Sequence, residues 1–115
     1  MKYIYKILKE IGTEEDINEW RYYGVTVLML ATMNGRPNVL KWLIHELKSD
    51  VNEQNIYGGS ALHLATSNNQ MECARVLLDL GSQLLKNESG NTPLDCAIVA
   101  ENKQMKNLLE SHFFG

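Results

Sequence analysis

Three histidines and two cysteines are the residues best able to do chemistry in this 115-residue chain: His45, His63, His112, Cys73 and Cys96. Imidazole and thiolate are zinc ligands, and a Cys–His couple is the heart of one class of covalent catalyst. Either use demands a spacing. Zinc ligands arrive in closely spaced pairs, and none of these five residues forms one. No serine lies in a nucleophile-elbow sequence, and no glycine-rich loop suits phosphate. In so short a chain these absences weigh against an enzyme, and no cofactor or metal is expected.

Composition narrows the field further. A net charge of −3 gives no electrostatic case for nucleic acid or an anionic membrane. Glu14, Glu15, Asp16 and Glu19 form a small acidic cluster, read as a solvated loop in preference to a patch for a basic partner. No apolar stretch is long enough to span a bilayer, and lysines interrupt the N-terminal residues too often for a signal peptide. The cysteines read as small buried hydrophobes in a reducing compartment, cytoplasmic or nuclear rather than secreted.

The elements that position these residues come from one phrase written three times. Gly24-Val25-Thr26-Val27-Leu28-Met29-Leu30-Ala31, Gly58-Gly59-Ser60-Ala61-Leu62-His63-Leu64-Ala65 and Gly90-Asn91-Thr92-Pro93-Leu94-Asp95-Cys96-Ala97 are its copies. Their first glycines stand 34 and 32 residues apart (24 to 58, 58 to 90). Such a period marks a solenoid, in which each unit buries its apolar face against its neighbours. Two echoes keep the register. Apolar runs begin sixteen residues after each hydroxyl, at Trp42-Leu43-Ile44, Val76-Leu77-Leu78 and Leu108-Leu109. Asn18 and Asn52 each precede the hydroxyl residue by eight.

The phrase and its echoes resemble the ankyrin repeat, with its Thr-Pro-Leu-His-x-Ala helix start and a double leucine in the second helix. The second copy keeps Ser60, Leu62, His63 and Ala65. The third keeps Thr92, Pro93, Leu94 and Ala97, with Asp95 in place of histidine. The first keeps Thr26, Leu28 and Ala31, with Val27 for proline and Met29 for histidine. The resemblance covers roughly residues 18 to 115. It implies an all-α solenoid of stacked helix-turn-helix units joined by β-hairpin-like fingers, in one domain spanning 1–115. Within it, residues 1–17 are an N-terminal half repeat, 18–51 repeat one, 52–84 repeat two and 85–115 a C-terminal capping repeat. Ile4, Ile7, Leu8 and Ile11 make the apolar stripe of the half repeat.

Residue chemistry fits that plan. Thr26, Ser60 and Thr92 can cap helix N-termini, and Pro93 suits a first helical turn. Gly35 and Asn69 fall where paired helices need a left-handed turn. Glu101 takes that place in repeat three, so a different turn is expected there. Leu84-Leu85-Lys86 departs from the repeat pattern, so the third finger is expected to be less regular. Leu40, Leu43, Ile44, Val76, Leu77, Leu78, Leu108 and Leu109 are expected to form the inter-repeat core, and Trp42 with them. Polar residues from Glu101 to Glu110 are expected to face the terminal surface outward.

The resemblance also implies a function. Ankyrin partners meet the finger tips and the exposed side of each first helix, which here carry Trp20, Tyr22, Tyr23, Val25, Met33, Ile56, Tyr57, Ser67 and Asn68. Trp and Tyr there have the character of binding anchors, with large area, few rotors and a polar handle; the alternative is that they fill the groove between fingers. His63 takes the place of the family's structural histidine. Asn52 resembles an ankyrin asparagine open to 2-oxoglutarate-dependent hydroxylases, although bridging backbone at the finger base is the favoured reading. The expected activity is therefore non-catalytic binding of a protein partner, as a small regulator or inhibitor and as a monomer. Self-association through the incomplete N-terminal repeat is the alternative.

Overall fold

The computed structural model describes Arg21 and residues 24–115. These form three helix pairs: α1 (Val27–Met33) with α2 (Pro37–His45), α3 (Ala61–Ser67) with α4 (Met71–Asp79), and α5 (Pro93–Val99) with α6 (Lys103–Phe113). The first helices stack as α1, α3, α5 and the second helices as α2, α4, α6. Residues 1–20, 22 and 23, which include the half repeat, Asn18, Trp20, Tyr22 and Tyr23, lie outside the described part.

Each first helix begins where its hydroxyl stands. Thr26, Ser60 and Thr92 are extended, and their side chains accept from the amides of Met29, His63 and Asp95. The hydroxyl thereby satisfies one of the free amides of the first turn. In repeats two and three the third helical residue answers, since His63 and Asp95 accept from the backbone of Ser60 and Thr92. That reciprocal arrangement is a capping box. Met29 cannot make it, so α1 holds half the pattern.

Each first helix also ends identically. The amides of Gly35, Asn69 and Glu101 donate to Thr32, Thr66 and Ile98, and those of Arg36, Gln70 and Asn102 to Ala31, Ala65 and Ala97. These are the paired bonds of a Schellman motif, which needs a left-handed residue. Gly35 supplies it at φ 66°, Asn69 at 51° and Glu101 at 56°. The expectation of a different third turn is therefore corrected. The two closing bonds hold Glu101 left-handed in spite of its side chain. Glu101→Gly should raise stability by about 1 kcal/mol, the left-handed cost of a side chain less the extra entropy glycine loses. A thermal melt checks this; an unchanged or lower midpoint would mean the Glu101 side chain compensates for its backbone.

The core runs through the stack as expected from the echoes. Leu40, Leu43, Leu62, Leu77, Met105 and Leu109 are wholly buried, and so are Ala31, Ala65 and Ala97, where the first helices approach each other. Val76 and Leu78 are buried, while Ile44 and Leu108 are half-buried against this core. Trp42 is the exception, at 40% exposed. It stands one residue ahead of Leu43, and one residue is about 100° around a helix. Its counterpart Val76 is covered because α4 lies between α2 and α6; among the described second helices α2 has α4 alone as a neighbour. Trp42 is thus a surface residue, not a core one.

The fingers are held by asparagine. In the second, Asn55 donates its amide to Gly59, accepts from Gly58, and caps the amides of Tyr57 and Gly59 with its side-chain oxygen. In the third, Asn87 makes the same four bonds with Asn91, Gly90 and Ser89. The third tip is therefore as regular as the second, correcting the expectation drawn from Leu84-Leu85-Lys86. Irregularity is confined to the base, where the second finger closes in a Gln54–Ser60 bridge that the third lacks.

Candidate protein-binding surface

Finger stacking decides what the tips can show. The amide of Glu88 donates to the carbonyl of Tyr57 at 2.9 Å, and the Gln54 side chain donates to the carbonyls of Gly58 and Lys86. Successive tips therefore ride directly on one another. A Cβ added at Gly58 would lie 2.7 Å from the amide of Glu88, closer than real contacts allow. With φ at 75°, that position is reserved for glycine on two counts.

Because these bonds use no side-chain atom of Ile56 or Tyr57, the two side chains are left to solvent. Tyr57 is 66% exposed and Ile56 61%. Met33, at the C-terminal end of α1, is 38% exposed. Ser67 and Asn68 occupy the matching end of α3 and are exposed. Val25 is half-buried at the root of the first finger. Arg21 donates to the carboxylate of Glu53 and so ties the start of the first finger to the base of the second. Both partners are partly solvated, so the pair contributes little stability.

Ile98 was not singled out by sequence. It is exposed on α5, together with Val99, within the terminal surface that the polar residues from Glu101 to Glu110 were expected to cover. The signal was available. Thr32 and Thr66 occupy the equivalent positions of α1 and α3, are buried, and turn their hydroxyls onto Leu28 and Leu62. The next helix pair covers each of those threonines, and among the described elements no further pair lies over α5.

Of the residues able to do chemistry, His63 is the one whose side chain is tied into the repeat. His63 Nδ1 accepts from the Ser60 amide at 3.0 Å, while Nε2 donates to the carbonyl of Asn91 at 2.9 Å. This use of both nitrogens fixes a neutral ring. Burial pushes its pKa below the ordinary 6.5, and the Asn91 bond offsets part of that. Burial also pushes both thiols up, so Cys73 and Cys96 hold little thiolate. Both are free. Asn52 accepts from the amide of Gln83 at 2.8 Å and donates to the carbonyl of Gly81, so both ends of its side-chain amide hold the segment that leads into the third finger. Among the described residues no cluster of three His, Cys, Asp or Glu could hold a metal, and no helix is long and apolar enough to cross a membrane.

Three helix pairs closed by the same turn, stacked through the same core and joined by ladder-like fingers define a repeat solenoid that offers a surface in place of a cleft. Ankyrin repeats, in three copies, match residues 28–113, and the chain belongs to that family. The family consists generally of protein–protein interaction modules and is typically non-enzymatic. A search of the curated proteins found no match.

Proposed function

We propose that the chain binds a protein partner, as a small regulator or inhibitor, along the finger tips and the adjoining ends of the first helices. The face comprises Val25, Met33, Ile56, Tyr57, Ser67 and Asn68, extended by Trp20, Tyr22 and Tyr23 of the first tip. The observation that carries it is the exposure of Ile56 and Tyr57 side by side, on a tip that meets its neighbour through the main-chain carbonyl of Tyr57. The repeat needs neither side chain, because the turn is made by Asn55 and Gly58 and the stacking by a carbonyl. Large apolar and aromatic groups exposed without a structural use are the usual anchors of an interface. The two cysteines, read as small hydrophobes, fit a reducing compartment, cytoplasmic or nuclear, and the partner is met there as a monomer.

Affinity capture with the intact chain, beside Ile56→Ala and Tyr57→Ala, tests the reading. Each truncation should weaken binding of a captured partner by about 2 kcal/mol. Thermal stability should move by no more than about 0.5 kcal/mol, as for other surface substitutions. Loss of stability with binding intact would assign both side chains to finger packing and overturn the proposal.

A further inference from the structure

Asn34 is followed by Gly35, and it caps the C-terminus of α1 on the surface. In an Asn-Gly pair the backbone nitrogen of glycine, unhindered by a side chain, can attack the asparagine Cγ. A C–N bond forms, the amide nitrogen leaves as ammonia carrying the proton from the glycine N–H, and a five-membered succinimide remains. Water then opens the ring to aspartate or isoaspartate. No oxidant, enzyme or cofactor is required.

The fold opposes every part of that step. Gly35 N–H donates to Thr32 at 3.1 Å, which occupies the nucleophile. The leaving nitrogen, Asn34 Nδ2, donates to Leu30 at 2.7 Å and holds Cγ back over its own helix. Gln70 from the next repeat donates to the carbonyl of Met33 and packs over Gly35, so the turn is closed from outside as well. Asn68 provides an internal comparison. It caps α3 with the same bond, Nδ2 to Leu64 at 2.8 Å, but Asn69 follows it, whose side chain obstructs attack.

We infer that Asn34 is a deamidation site gated by folding, at which any opening of the α1–α2 turn is recorded as an irreversible chemical change. The product keeps the gate open. A carboxylate at residue 34 cannot donate to Leu30 and places negative charge at the negative end of α1. Isoaspartate in addition inserts an extra backbone carbon into a turn that depends on two exact hydrogen-bond registers.

The test follows the one-dalton gain by peptide mass mapping during incubation of the full chain at mildly alkaline pH. Native protein and protein unfolded in urea are sampled together. In urea Asn34 should convert clearly faster than Asn68. In the native state its conversion should slow by about tenfold or more, since reaction must await local opening. Gln70→Ala, which uncovers the turn, should speed native conversion of Asn34 and leave the rate in urea unchanged. Equal rates for Asn34 in native and unfolded protein would overturn the gate, and equal rates for Asn34 and Asn68 in urea would overturn the site.

Discussion

Leu77→Ala should lower stability by about 2–5 kcal/mol, through lost burial and the cavity left behind. Leu77 is wholly buried in α4, the central second helix, with α2 on one side and α6 on the other. Neither neighbour can close the hole without leaving the other. In a stack this short the repeats lean on their nearest neighbours, so the loss should be felt by all three at once. The melting midpoint should fall by on the order of 10 °C, in a single transition. Two transitions, or a midpoint within error of the wild type, would mean that α4 does not carry the stack.

His63→Ala should cost about 2–4 kcal/mol, from an unpaired buried amide at Ser60 and the hole left by the ring. The histidine does two jobs that the other first helices divide or omit. It closes the capping box of α3, and it reaches across to the carbonyl of Asn91 in the next repeat. Asp95 does the first job only, and Met29 does neither. The same geometry predicts a pH effect. Burial disfavours the charged ring and depresses its pKa, and protonation would in addition turn Nδ1 into a donor facing the Ser60 N–H. Stability owed to the neutral ring is then fully present above about 6.5, the unfolded value, and is lost as pH falls toward the folded value. Melts between pH 7.5 and 5 should show the wild type losing stability more steeply than His63→Asn. Parallel curves would place the pH sensitivity elsewhere.

The parts legible in the sequence were those written by local chemistry. Thr26, Ser60 and Thr92 marked helix starts because a hydroxyl there answers free amides, whatever surrounds it. Gly35 and Asn69 marked left-handed turns for the same kind of reason. Glu101 misled because its side chain costs only about 1–2 kcal/mol in that conformation, which the two closing backbone bonds offset. Trp42 misled because a residue type in an apolar run does not say which side of the helix it takes; the next residue along, Leu43, Leu77 and Leu109 in turn, holds the buried position in all three repeats. The third tip is written in Asn87 and Gly90, spaced as Asn55 and Gly58 are, and the irregular Leu84–Lys86 base does not disturb it. Of the candidate surface, Ile56 and Tyr57 follow from their place in the turn. Their role in binding does not, since a scaffold's geometry is silent about its guest.

Four of the bonds between repeats end on main-chain oxygen: Gln54 on Lys86, His63 on Asn91, Gln70 on Met33, Glu88 on Tyr57; Arg21 on Glu53 and Asn102 on Asn69 end on side chains. A carbonyl is the same whichever residue bears it. Met33, Tyr57, Lys86 and Asn91 can therefore drift to other side chains while their neighbours hold on as before. Donors such as His63 and Gln54 are bound to their identity; acceptors are not. Mutational freedom thus falls on the tips and helix ends, where a new partner would be found, and constraint falls on the residues behind them.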